Sequence, residues 1–438
     1  MPNYLWTLWV SAASLRTLNQ CVQFTQNNFQ LGITPYIVPK ETDLRWAADT
    51  LNRGKKVAIL VGAGALSARD EIVEIAELLQ AGVAKALLGK AAVEDTLPYV
   101  TGSIGMLGTQ ASEEMMRNCD TLLMIGSNFP YAEFLPKPGS ARGVQIDINA
   151  QNISLRYPMD VGLVGDAAAT LKELIPLIER KDDNTWREQV LGFVSKSTRA
   201  LYEQAHAEGD PLNPQQVFFD LNKYLPERCI ITADSGTSTV WYARHLKMRA
   251  GMMGSVSGGL ASMGCSLPYA IAAKFAYPDR SVIACTGDGA MQMIGNNELI
   301  TISKYWKKWS NPQLVIIVLK NKDLSFVTWE QRAHEGDPKF TPSQNVIDFP
   351  YAKHAQSLGL DGYLIESANQ IESVLKYAMS ANRPVVIEVL ADPDIPPVPP
   401  NAGFKESVNL VQSVSKSDEA EHKPVWQSIA QAFGNMFR

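Results

Sequence analysis

Gly287-Asp288-Gly289 follows the apolar run Ser281 to Thr286, and Asn321 follows a second such run, Gln313 to Leu319, with Asp323 two positions beyond. An aspartate carboxylate, an asparagine amide oxygen and a loop carbonyl are the hard oxygen donors that Mg²⁺ takes, with diphosphate oxygens and water completing an octahedron. The two glycines let a phosphate approach the backbone, and the first amides of the helical pattern that starts at Ala290 carry the partial positive charge that favours an anion. Read from residue types and order, the assembly is a metal-diphosphate clamp. A lone Gly-Asp-Gly is more often a plain turn. Its weight here comes from the strand before it and from the helix, strand and asparagine after it.

Asp288 and Asn321 can meet only if the two strands lie side by side and open at one edge, as parallel strands do in doubly wound sheets, whose ligands bind at the carboxyl ends. The chain is patterned for this. Lys56 to Val61, a Gly62-Ala63-Gly64-Ala65 turn and an amphipathic stretch Asp70 to Gln80 begin an alternating series, with further strands expected at Val83–Leu88, Thr121–Ile125 and Val144–Ile148 and a closing helix at Ala167–Glu179. A second series starts at Asn213-Pro214, a helix cap followed by a good first helical residue, with strands expected at Cys229–Ala233, Ser281–Thr286, Gln313–Leu319 and Pro384–Leu390. The fold class is therefore α/β, two tandem doubly wound parallel-sheet domains. The boundaries read as an unassigned N-terminal arm over 1–36, a central α/β domain over 37–180, a charged helical connector over 181–210, a diphosphate-binding domain over 211–400, and a mobile or loosely docked tail over 401–438 behind the Pro-rich segment at 393–400.

The chain has 438 residues, a formal charge of −5 and 46% hydrophobic residues, a balance that argues against disorder and against a nucleic-acid partner. Its five cysteines form no CxxC and suggest neither a disulfide framework nor a structural zinc site. No apolar run reaches membrane-spanning length, and Tyr4 to Ala13 follows no basic segment, so the expectation is a cytoplasmic protein without a membrane partner.

A GDG motif completed by an asparagine after a helix and a strand resembles the signature of thiamine diphosphate enzymes of the pyruvate oxidase and acetolactate synthase type. The stretch 257–273, which begins Ser-Gly-Gly-Leu-Ala-Ser-Met-Gly, is similar to that family's segment over the thiamine rings. The resemblance covers about residues 37 to 400 and implies a pyruvate-like 2-oxo acid substrate, with thiamine diphosphate and Mg²⁺ as cofactors. It implies that Asp288 and Asn321 bind the metal by their side chains and Asp323 by its carbonyl. Gly287, Gly289 and Ala290 would line the diphosphate with help from Thr237 and Ser238, the Ala261 carbonyl would accept from the 4′-amino group, and Met263 would prop the bent cofactor. By residue type alone, Met263 is as well explained by core packing.

Two departures stand out: Lys320 precedes Asn321 where the family has a first asparagine, and Trp306 to Trp309 lengthens the helix-to-strand connection. The resemblance further implies that the first domain is the family's central domain, which holds FAD in some members and nothing in others; Gly62 to Ala65 does not complete GxGxxG, and a tight turn is its simpler reading. The family's amino-terminal domain, whose glutamate activates the cofactor, has no counterpart that can be named here. Three readings stay open: a thiamine diphosphate enzyme acting as a homo-oligomer or with a partner chain carrying the pyrimidine-binding domain, a catalytically silent cofactor-binding or regulatory subunit, and a nucleotide-dependent oxidoreductase. The histidines are scattered, and of them His334 lies near enough in sequence to the metal loop to approach a substrate.

Overall fold

A computed structural model describes residues 37–397 and 404–416; the expected arm over 1–36 lies outside them. Two six-stranded parallel sheets follow one another along the chain. The first contains β1 (Val57–Val61), β2 (Gly82–Lys85), β3 (Val100–Ser103), β4 (Thr121–Ile125), β5 (Arg142–Asp147) and β6 (Val161–Val164), in the order β3-β2-β1-β4-β5-β6. The second contains β7 (Ile230–Ala233), β8 (Met253–Ser255), β9 (Val282–Gly287), β10 (Leu314–Lys320), β11 (Asp361–Ile365) and β12 (Val385–Leu390), in the order β11-β12-β10-β9-β7-β8. All residues of β1, β4 and β10 are buried, as expected of parallel strands covered on both faces.

Helices start where the local chemistry caps them. Asn213 Oδ1 accepts from the Gln215 amide at 3.0 Å with Pro214 in the first turn, and Asp166 Oδ1 accepts from the Ala169 amide at 2.9 Å. The stretch read as a connector does more than connect. Its helix Thr185–Ala205 buries Trp186 and Val190 against Ala58, Leu60 and Met115, so it forms a covering layer of the first sheet; these apolar positions are simply outnumbered by charged neighbours in the sequence. Within the tail the described residues form a helix, Phe404–Lys416, docked on the chain. Leu410 is buried there, and Asn409 Nδ2 donates to the Ala333 and His334 carbonyls at 3.0 and 2.8 Å, closing the end of the helix Ser325–His334.

The domains meet along a hydrogen-bonded seam. Lys90 Nζ and Ser103 Oγ both donate to the Ala243 carbonyl, at 3.0 and 3.2 Å, and Asp95 Oδ2 accepts from the Met248 amide at 2.7 Å. Charged groups buried at such a junction need partners of this kind, and these carbonyls and amides supply them.

Candidate cofactor and metal site

β7, β9 and β10 are adjacent at the centre of the second sheet, with Ala233 opposite Cys285 and Leu319 opposite Gly287. This register delivers Asp234, Asp288 and Asn321 to one edge. The helix after β9 begins at Asp288 with Gly287 as its cap, two residues earlier than the expected start at Ala290, and runs through a π-helical turn, Met291–Gly295, of a type often found at functional sites. A methyl group built on Gly287 would meet no atom within 4 Å, so the helix start faces open space.

Asp288 is buried, yet its carboxylate faces main-chain amides rather than a cation. Oδ1 accepts from Gly289 N–H at 2.9 Å, and Oδ2 accepts from Asn321 N–H at 3.1 Å and Lys322 N–H at 2.7 Å. Burial pushes its carboxyl up to about 6 although the three amides pull the other way. Tyr351 braces the same turn by donating its hydroxyl to the Asp288 carbonyl at 3.1 Å.

The loop after β10 folds back at Lys322, whose φ is +59°. Asn321 Oδ1 accepts from the Asp323 amide at 3.1 Å, and as an amide oxygen it retains a second lone pair. The Asp323 carboxylate is already engaged, by Thr328 Oγ1 at 2.9 Å and Lys339 Nζ at 3.1 Å, which leaves that residue's main-chain carbonyl to serve a cation. Among the described residues no three His, Cys, Asp or Glu side chains converge as a ready metal site. A metal here would accordingly draw most of its ligands from a diphosphate and water.

Asp234 organises the opposite wall, a role that its sequence position after a strand does not reveal. Its Oδ1 accepts from Ser235 and Gly264 N–H at 2.9 and 2.7 Å, and its Oδ2 from Ser266 N–H at 3.1 Å and Thr286 Oγ1 at 3.4 Å. One carboxylate thus ties β7 to β9 and to the base of the 257–264 segment; burial raises its pKa against the opposing pull of these donors. Above that base Ala261 has φ of +48°, rare for a residue with a Cβ, and Leu260 is 89% exposed. The Met263 side chain lies against Gly289, where an added Cβ would come within 3.3 Å of Met263 Cε and 2.6 Å of Leu324 Cδ2. Across the seam, a Cβ on Gly258 would lie 2.6 Å from Leu88 Cδ1, so the first domain props this segment as well.

Thr237 and Ser238 occupy the first turn of the helix Thr237–His245. Ser238 Oγ donates to the Asp234 carbonyl at 2.9 Å, so Ser238 has only its amide to offer an anion, whereas Thr237 is half-buried. Ala290 is fully buried directly behind Gly289. His334 is exposed in the last turn of its helix, and among the described residues no hydrogen bond or ion pair joins it to Asp288, Asn321 or Met263. Lys320, in place of the family's first asparagine, pairs with both Glu388 and Asp348 at 2.6 Å. At the first domain's switch point, Cβ atoms on Gly62, Gly64 and Gly126 would strike neighbouring main chain at 2.4–2.8 Å, so these glycines serve close packing of the loops after β1 and β4.

The residues present suit a diphosphate and a divalent cation: a buried carboxylate without a counter-cation, an unobstructed helix start and an amide oxygen beside them. Comparison with known proteins supports the thiamine diphosphate part of this fit. Residues 234–389 match the family described as thiamine pyrophosphate enzyme, C-terminal TPP binding domain, and residues 44–174 match its central domain. The chain is similar to the putative thiamine pyrophosphate-containing protein YdaP of Bacillus subtilis, with 32% identity over 91% of this chain and 67% of that protein. It is 30% identical to a probable acetolactate synthase large subunit of Methanocaldococcus jannaschii over 91% of this chain and 68% of that one. With the pyruvate oxidase of Lactiplantibacillus plantarum it shares 26% identity over 84% of this chain and 60% of that enzyme. The chain thus spans about two thirds of the length of these relatives.

Proposed function

The chain belongs to the thiamine pyrophosphate enzyme family, and on that premise we propose that it holds thiamine diphosphate through Mg²⁺ for the decarboxylation, carboligation or oxidation of a pyruvate-like 2-oxo acid. The observation that carries the proposal is the buried Asp288 carboxylate, held by three amides at the edge of the second sheet, with no Lys or Arg side chain paired to it among the described residues. Asp288 and Asn321 would hold the metal by their side chains and Asp323 by its carbonyl, while Gly289 and Ala290, with Thr237 and Ser238, would offer main-chain amides to the diphosphate. Met263, fixed against Gly289, would set the angle between the cofactor's rings, and the Ala261 carbonyl would take the amino group. The bound cofactor would supply the electron sink that the chemistry of a 2-oxo acid needs.

We further propose that the activating carboxylate reaches the cofactor from a partner chain that carries the pyrimidine-binding domain. Leu260, Met293, Ile294 and Ile347 are 89%, 53%, 42% and 79% exposed, an apolar set suited to burial in an assembly. A silent cofactor-binding subunit would share the same holding residues. The oxidoreductase reading draws no support from the glycine turn, and a role for FAD rests on the resemblance alone. Among the described residues no helix is long and apolar enough to cross a membrane, and a cytoplasmic setting is part of this proposal.

Calorimetry of thiamine diphosphate binding with and without Mg²⁺ tests the holding role. Metal-dependent binding is expected, and none at millimolar cofactor would sink it. Exchange of the cofactor's C2 proton, followed by NMR, separates the readings: the chain alone should exchange at close to the rate of free cofactor, a chain carrying the pyrimidine-binding domain should accelerate it if this is an enzyme, and no acceleration with that chain marks a silent subunit.

A further inference from the structure

Asp348 grips the chain on both sides of Asn321. Its Oδ1 lies 2.6 Å from Lys320 Nζ and its Oδ2 2.8 Å from Lys322 Nζ, so the proposed metal ligand sits between the two lysines of a three-residue staple. The staple is anchored from below, where Glu388 of β12 pairs with Lys320 at 2.6 Å and accepts from the Ala352 amide at 2.9 Å. It is held from the side by Val346 N–H donating to the Lys322 carbonyl at 3.0 Å and by Leu324 N–H donating to the Gln344 carbonyl at 2.8 Å. Lys320 is 9% exposed and Glu388 5%, while Asp348 and Lys322 are half-exposed. The staple therefore has a fixed inner half and an outer half open to water. The two lysines also hold the Asp348 carboxyl down at about 2.

Resting on the metal-clamp reading, we propose that Asp348 is a positioning residue: through Lys320 and Lys322 it fixes the reversal that presents Asn321 and the Asp323 carbonyl to Mg²⁺. This gives the departure from the family's paired asparagines a task. A lysine at 320 reaches two carboxylates on different elements, which an asparagine side chain is too short to do. Without Asp348 the Lys322 side chain loses its ion pair, while its main-chain bonds to Asp288 and Val346 remain, so the loop loses one of several restraints. Loss of a half-exposed ionic restraint should weaken metal binding by a modest factor rather than abolish it.

Mg²⁺ titration at fixed thiamine diphosphate, read by calorimetry, tests this on the whole chain. Asp348→Asn should raise the Mg²⁺ concentration for half-saturation three- to tenfold, with the melting temperature of the cofactor-free protein only slightly lowered, as expected for a half-exposed ion pair. Asp348→Asn also leaves an uncompensated lysine near a cation site, so Asp348→Asn with Lys322→Met, which restores the charge balance without restoring the staple, is the deciding variant. A rise that persists in the double variant supports positioning. A return to the wild-type value would reduce Asp348 to a counter-charge and overturn the proposal, as would an unchanged value in Asp348→Asn. Failure of the wild-type chain to show any Mg²⁺ dependence would instead overturn the metal-clamp reading itself.

Discussion

Asp288 Oδ2 accepts the Lys322 main-chain N–H at 2.7 Å, so the residue expected to bind the metal also fixes the loop that carries its other ligands. The proposed ligand and the scaffold are the same carboxylate, and changes to it should have two consequences at once.

Asp288→Ala removes a charged donor from the proposed metal and leaves three main-chain amides, that of Gly289 buried, without their acceptor. Thiamine diphosphate binding in the presence of Mg²⁺ should weaken at least a hundredfold by calorimetry. Denaturant unfolding should show a loss of roughly 2–4 kcal/mol. Unchanged affinity would rule out the carboxylate as a ligand.

Gly289→Ala places a Cβ where Leu324 Cδ2 stands 2.6 Å away and Met263 Cε 3.3 Å away. Both are side-chain ends and can give, so the protein should fold with a loss of about 1–3 kcal/mol. Because yielding displaces Met263, cofactor affinity should fall more than stability does, and equal effects on the two would speak against the ring-propping role.

Asp234→Asn keeps size but turns one acceptor into a donor facing amide donors. A destabilisation of about 3 kcal/mol is expected, together with faster hydrogen exchange at Gly264 and Ser266. Exchange rates unchanged at those two amides would show that the 257–264 segment is held by something else.

His245 is buried beside Gln215, with Nε2 2.9 Å from Oε1, and burial lowers its pKa to about 3. The unfolded chain regains a pKa near 6.5, so between these values it binds the extra proton and the folded chain does not. Stability contributed by the neutral ring is present above pH 6.5 and declines on acidification, by up to about 1.4 kcal/mol per pH unit. Urea midpoints measured from pH 7.5 to 5 should fall in the wild type and flatten in His245→Gln; parallel profiles would assign the decline to other groups.

The eight strands legible in the sequence are the interior ones of the two sheets, whereas β3, β6, β8 and β11 are the four edges. The reason is physical. Interior parallel strands are covered on both faces and flanked on both sides, which demands runs such as Leu-Val-Ile-Ile-Val-Leu in β10, while an edge tolerates Val-Thr-Gly-Ser in β3 or Met-Gly-Ser in β8. The site divides in the same way. Asp288 and Asn321 announce themselves by type and by the strands they follow. The work of Asp234, Lys320 and Asp348 lies in partners far away in sequence, and neither spacing nor composition encodes which carboxylate will reach which amide or lysine.

The contact between Leu88 and Gly258 bears on how the two domains can be inherited. A side chain at 258 and a leucine at 88 compete for one volume, so the positions should covary across homologues: a larger residue at one should be accompanied by a smaller one at the other. A chimera that takes its central domain from one relative and its cofactor domain from another should therefore be more stable when it carries a compatible pair at this junction, though an exposed leucine tip can rotate away at modest cost.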